Sequence, residues 1–421
     1  MASKTPHSVI RSFNRPARLF LVATLINGIV FSIWWLFFNF YILELGFSLE
    51  YLGLVTSVTS AAALLLGIPL GVLSDRIGRK KAMIWGVSIY IVAMGLEVLV
   101  LNPNMILVMA FISGAGHTLY FISQPPFMMK VSNAQNRTLL FSLNFGLVTL
   151  SGAVGSLFAG QLPALFGDLL GVAADSASAY RAVLFSAVIL SSLALLPLSL
   201  IREPHTANGD VVNNRAEKTN SVPVILNSLK TTFTRPITVK LSLPMLMLGF
   251  GAAILIPYMN IFFRDTFAIS DQTLGILFSL SALMTGVGSL IAPRLTTELG
   301  SKITAIVLTQ SLSVVSLLIL GFSPFFGLAA VAFLLRSALM NMSVPLYDAF
   351  SMEHVREQEQ ATVVSVKELA WQAGWTIGPF ISGVVQESYG FTPLFITTAV
   401  LYAISIIMTW GFFHNTERKP I

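Results

Sequence analysis

Few residues in this chain can do chemistry, and most of those stand inside oily runs. Arg336, Lys367, Glu368, Glu97 and His117 each lie within a long apolar stretch, and Asp348 closes the one that holds Arg336. An ionised group at mid-membrane is costly unless it faces water or a partner. Arg336, near the middle of its stretch, is the first candidate to hold a carboxylate or phosphate, because guanidinium meets those groups in a two-pronged way. The other reading is a structural arginine paired with carbonyls or an acid. His117 either hydrogen-bonds a solute or carries a proton, or packs as a neutral ring. Glu368 and Asp348 are candidate proton-coupling groups together with His117, and Lys367 is placed to be the ion partner of Asp348.

The stretches that hold these residues follow from composition. The 421 residues are 55% hydrophobic and 10% charged, with a mean hydropathy of +0.79, where an average soluble domain is about 25% charged. No water-exposed surface can be built from this, so a soluble enzyme is excluded, and 31 phenylalanines exclude disorder. Cysteine is absent, which excludes a disulfide framework, thiol catalysis and cysteine-ligated metal. No metal-ligand cluster, nucleophile signature or G-x-x-x-x-G-K-[ST] run occurs. The sequence therefore calls for no metal, no cofactor and no ATP motor. The net charge of +6 does not read as nucleic-acid binding, because the basic residues flank apolar stretches.

A bilayer core about 30 Å thick needs roughly 20 apolar residues in helix. Twelve such stretches are present, near 19–43, 51–74, 82–102, 105–129, 138–166, 182–201, 241–263, 272–293, 303–322, 325–347, 361–386 and 392–413. They are too long and too uniform for barrel strands, so helices must satisfy their backbone groups in lipid. The first is too long for a signal-peptide core and stays as the first span. With the N-terminus inside, 21 of the 25 basic residues fall on the cytoplasmic side, and only Arg181 and Arg264 fall outside. Both termini are expected in the cytoplasm, in a plasma or bacterial inner membrane.

One long polar connection divides the spans: residues 1–201 form a first six-helix bundle, 202–240 a cytoplasmic linker, and 241–421 a second six-helix bundle. Within the linker, Ile225, Leu226, Leu229 and Phe233 share a helical face, which fits a short helix on the membrane surface. An irregular linker is the plainer alternative. Six spans per half make any duplication a parallel repeat. At an offset of 222 residues, Gly78 and Lys80 match Gly300 and Lys302, and Gly152, Ser156 and Gly160 match Gly374, Gly378 and Ser382.

The loop between spans 2 and 3 runs from Gly71 through Asp75, Arg76, Gly78, Arg79 and Lys80 to Lys81. It resembles the G-x-L-x-D-R-x-G-R-K-K signature of the major facilitator superfamily, and the resemblance covers essentially the whole chain. It implies an all-α membrane protein of twelve helices in two bundles that rock about a central cavity. Gly71 would admit a neighbouring helix, and Gly78 would allow a turn at positive φ. Asp75 would accept hydrogen bonds from the start of span 11 and latch the cytoplasmic side. Arg76, Arg79, Lys80 and Lys81 would sit at the anionic lipid surface. The second copy of the loop has Thr297 at the aspartate position, so any such latch is one-sided. Span 5 lacks the Gly-Pro pair of the antiporter signature, which appears instead as Gly378-Pro379 in span 11.

The resemblance also implies that spans 1, 4, 7 and 10 line the cavity, that 2, 5, 8 and 11 lie between the halves, and that the others face lipid. On that assignment the substrate residues are Arg336, His117, Asn27, Trp35, Asn39, Tyr258, Asn260, Trp371, Gln372 and Trp375. Glu97 in span 3 should face away. Acids are absent from the middle of the lining spans, which weighs against strongly cationic solutes. The expected activity is secondary active transport of a small organic solute, proton-linked, by a monomer. The solute is either an anionic or zwitterionic metabolite or a hydrophobic drug-like compound. A membrane receptor or structural protein without transport is the rival. A channel is disfavoured because no filter-like ring is visible.

Overall fold

A computed structural model describes residues 13–133, 135–202, 235–356 and 359–416, with Ala361 as backbone only. Among these residues the protein is entirely helical. The long helices are α1 (Arg15–Glu44), α2 (Leu49–Ile77), α3 (Arg79–Leu99), α4 (Pro103–Val131), α5 (Arg137–Ala159) and α6 (Ala177–Leu193). They continue with α7 (Pro236–Leu255), α8 (Asp271–Leu299), α9 (Lys302–Phe322), α10 (Phe326–Glu353), α11 (Gln360–Tyr389) and α12 (Thr392–Phe413). Side-chain caps start many of them: Asn14, Ser48, Asn102, Ser176, Ser270 and Ser301 each accept a backbone N–H of the first turn. Gly78 and Gly300, the pair at offset 222, end α2 and α8 at φ +91° and +66°, a conformation in which a Cβ would be strained.

Among the described residues, eleven helical segments are long and apolar enough to cross a membrane. Only α11, a helix of 30 residues, falls short on apolarity, since Lys367, Glu368 and Gln372 lie along it. Large apolar side chains stand outward on the others, such as Leu290 at 80% and Ile407 at 69% exposure, which only lipid would cover at little cost. The protein is a multi-pass integral membrane protein.

Two spans are less regular than their apolar runs implied. The fifth breaks at Gly160, and a short helix, Leu162–Leu170, follows. The seventh is interrupted by a 3-10 turn, Ile256–Tyr258, before the helix resumes as Met259–Phe267. Pro257 lies in that turn and has no N–H to give to the ladder. The proposed linker helix around Ile225 to Phe233 lies outside the described residues.

The packing pattern of the first six helices recurs in the last six. Helix α1 lies along α5 and α6, as α7 lies along α11 and α12, while α4 runs beside α2 and α3, as α10 runs beside α8 and α9. Between the two sets, α2 meets α11 and α5 meets α8.

These cross-set contacts concentrate on one side, opposite the side on which α1 starts and α12 ends. Asn39 Nδ2 donates to Pro257 O at 2.6 Å and to Asn260 Oδ1 at 3.0 Å, and Asn260 Nδ2 donates to Leu36 O at 2.8 Å. Leu49 N, in the first turn of α2, donates to Glu387 Oε2 near the end of α11 at 2.8 Å. Phe380 N, just after Pro379, donates to Ser57 Oγ at 2.9 Å. Arg264 pairs with Asp271, lies 3.7 Å over the Phe40 ring, and Tyr180 Oη donates to Asp271 Oδ2 at 3.2 Å. Backbone touches backbone there, because a Cβ on Gly275 would lie 2.6 Å from Ser156 O.

On the terminal side the helices of the two sets stand apart. Gly71, expected to admit a neighbouring helix, has nothing within 4 Å of where its Cβ would be, and the same holds for Gly146 on α5. The structure is therefore shut on one side and open on the side of the chain ends.

This asymmetry is testable with a pair of substitutions. Helix propensity alone favours alanine over glycine by about 1 kcal/mol. Gly275→Ala should nevertheless lower the melting temperature of the purified protein, because its new methyl meets a carbonyl. Gly146→Ala should leave that temperature unchanged or raise it.

Candidate functional site

Two cavities open within the helical array, and they share a wall. One, of about 210 Å³, lies among α7, α9, α10, α11 and α12 and holds Arg336, Tyr347, Asp348 and Tyr402. The other, of about 350 Å³, lies among α1, α2, α3, α4 and α11 and holds Trp34, Trp35, Tyr90, Glu97 and His117. Trp371 and Trp375 of α11 line both. They sit one helical turn apart, so they project from one face of α11, and their rings lie 6.2 Å from each other. Trp35 of α1 approaches Trp375 to 6.1 Å from the other set.

Arg336 is buried in the wall of the smaller cavity. Its Nη2 donates to Tyr402 Oη at 2.9 Å, and its Nε has no partner among the described residues. The guanidinium is thus held by one edge with donor capacity left over, and a carboxylate or phosphate could use the remainder. At the terminal-side end of the same cavity, Lys367 Nζ donates to Asp348 Oδ1 at 2.8 Å and to Ser351 Oγ at 3.0 Å, and lies 4.9 Å from the Tyr347 ring centre. Lys367 is 5% exposed while Asp348 is 62% exposed, so the acid reaches out over a buried ammonium.

In the larger cavity, His117 is exposed and lies among rings, with Phe121 stacked at 6.0 Å and Tyr90 at 5.7 Å. Asn27 donates to Ala23 O and Tyr120 Oη and borders a side pocket of about 40 Å³. Gln372 joins Trp371 and Trp375 in the lining.

Several expected residues do other work here. Asn39 borders the larger cavity but uses its amide on Pro257 and Asn260. Tyr258 is fully buried and donates to Pro379 O at 2.9 Å, within the last six helices. Asn39, Asn260 and Tyr258 therefore stand at the shut end as packing and bridging groups. Glu368 is exposed rather than enclosed, since the terminal-side half of α2 stands clear of α11. Asp75 pairs with Arg79 one turn on, and Arg79 also donates to Ser74 Oγ at 3.0 Å. Lys80 reaches Ser199 O at 2.9 Å, which ties the loop to the end of the sixth span. Arg76 is exposed.

The assignment of spans 3, 9 and 12 to lipid needs correction. Glu97 and Tyr90 of α3, Gln310 of α9 and Tyr402 of α12 all reach a cavity. Glu97 is 2% exposed, and its Oε1 has no partner among the described residues. The signal was in the sequence, as a lone acid in an apolar helix. Assigning whole helices to lipid hid it, because one face of a helix can meet lipid while another looks inward.

A profile of the Major Facilitator Superfamily matches residues 20–252 and again 241–421. The chain belongs to the Major Facilitator Superfamily. It is a secondary transporter by that membership. It is 26% identical over 400 residues to the multidrug resistance protein MdtG of Dickeya zeae, covering 91% of each chain. It is 23% identical over 394 residues to an uncharacterized MFS-type transporter, YxaM, of Bacillus subtilis, covering 90% of this chain and 91% of the relative. Among solved structures, the nucleoside transporter NupG superposes with a TM-score of 0.71 at 15% identity, over 96% of this chain and 99% of that one. A bacterial homologue of the iron transporter ferroportin in an inward-facing state gives 0.72 at 13% identity, over 97% and 99%. Those two likenesses concern the fold. The relatives are transporters, not enzymes.

The Lys367–Asp348 pair carries its own expectation. Asp348→Asn leaves a buried ammonium without its counter-charge and should cost about 1–3 kcal/mol. Lys367→Met leaves only an exposed acid and should cost less. Thermal unfolding of the two purified variants checks the order.

Proposed function

We propose that this transporter exports an amphipathic organic solute with an acidic group, in exchange for protons, by opening its two cavities alternately to either side. The observation that carries this reading is the single buried guanidinium in an aromatic-walled cavity. Arg336 meets the acidic end, and Trp371 and Trp375 cover the apolar body, the arrangement of apolar walls and few polar anchors common to small-molecule sites. The family resemblance of the whole chain to proteins called multidrug resistance proteins favours export over uptake.

The reading has residues 1–201 and 241–421 as the two moving bundles, with 202–240 as the linker between them. The basic residues around the loops favour a cytoplasmic position for both termini and the linker, and the bacterial relatives favour the inner membrane. The open side is then the cytoplasmic one, ready to receive solute. Asp75 would leave Arg79 and cap the start of α11 when that side shuts, which makes the loop from Gly71 to Lys80 a conformational latch. Protons would be carried by Glu368, Asp348 or His117, and the protein would act as a monomer.

Transport into sealed inverted vesicles with an imposed proton gradient tests the reading. Amphipathic organic acids should accumulate with wild-type protein, and Arg336→Ala should reduce the rate at least tenfold while the protein still inserts. Unimpaired transport by that variant would remove the anion argument. Failure of every solute in a broad panel would favour a receptor without transport. Asp75→Asn should slow turnover more than it weakens solute binding, as followed by rate and half-saturation in the same vesicles.

A further inference from the structure

The larger cavity carries an acid that the proposed function does not use. Glu97 looks into it from α3, 2% exposed, with Oε1 unpartnered among the described residues. The Ser113 hydroxyl and the Tyr90 phenol share the lining with it. No lysine or arginine stands among the described residues that line this cavity. An enclosed carboxylate without a cation is costly, and the surroundings suit one cation class. Trp34 stacks on Phe38 at 4.8 Å, Trp35 on Phe31 at 5.7 Å, and Tyr90 and His117 complete the ring-lined space. Aromatic faces attract ammonium and phosphonium groups through their quadrupole, most strongly when water is excluded.

We infer that this first-half cavity is a binding site for organic cations with aromatic or apolar bodies, in which Glu97 supplies the counter-charge and Trp34, Trp35 and Tyr90 the cage. The two cavities then differ in sign, with a guanidinium in one and a carboxylate in the other, on either side of the Trp371 and Trp375 wall. A solute with an acidic and an amino end can occupy both. A permanently charged cation uses the Glu97 cavity alone. The inference also reverses the expectation that this chain is ill suited to cationic compounds, which rested on placing span 3 in lipid.

The experiment uses the full-length protein in detergent micelles and two ions of like size and opposite sign, tetraphenylphosphonium and tetraphenylborate. Quenching of the cavity tryptophans and isothermal titration report binding. Wild-type protein should prefer the phosphonium. Glu97→Gln should lose at least tenfold in phosphonium affinity with no loss for the borate. Glu97→Asp should keep most of the phosphonium affinity, which separates charge from packing. Arg336→Ala should leave phosphonium binding unchanged. Equal phosphonium binding by wild type and Glu97→Gln, no preference between the two ions, or no saturable binding of the cation would each overturn the inference. None of those results bears on export through Arg336, which the vesicle assay tests separately.

Discussion

The shut end of the molecule is the constraint on which the rest depends. Two sets of helices with apolar surfaces nearly all round gain little by choosing each other over lipid tails. Association in a bilayer rests on close packing and cross-helix hydrogen bonds. Both are found together at the shut end: glycines let backbones touch where α2 meets α11 and α5 meets α8, and Asn39, Asn260 and Glu387 bond main-chain groups across the boundary. The turn at Pro257 supplies part of this, since the Pro257 carbonyl accepts from Asn39 of the other set. Sealing at one end holds the cavities at mid-membrane while leaving them reachable from the other.

Polar atoms inside the membrane are otherwise sparing, and their distribution is uneven. Of the nine buried side-chain polar atoms without a partner among the described residues, four (Arg336 Nε, Trp375 Nε1, Gln310 Oε1 and Glu97 Oε1) belong to residues lining the two cavities. Ordinary helix packing leaves few such groups. Those four make the two spaces the candidate sites of recognition.

Much of the fold was legible in the residues. An apolar run of membrane length has only one structural outcome in lipid, so the spans could be counted even for α11 with its Lys367 and Glu368. The repeat at offset 222 had a backbone correlate in the left-handed glycines that end α2 and α8. The lining of the cavities was legible in part. Arg336, His117, Trp35, Trp371, Gln372 and Trp375 line the cavities because a polar or aromatic residue deep in such a helix has few other places to go. Glu97 and Tyr402 were misplaced by treating a helix as a unit with one environment. Asn39 borders the larger cavity while Asn260 and Tyr258 are bonded at the shut end, and a polar residue that bridges two helices has the same sequence appearance as one that lines a cavity. Asp75 and Gly71 depend on which end is shut, and a sequence encodes both arrangements at once.

Trp371 and Trp375 form a partition that belongs to neither chamber alone. A guest that presses on one side of those indoles shifts the surface offered to a guest on the other. Their helix is also the one that spans the junction with α2. If both chambers bind solutes as proposed, their occupancies would be thermodynamically linked, equally in both directions. A pair of unlike compounds would then help or hinder each other without ever touching.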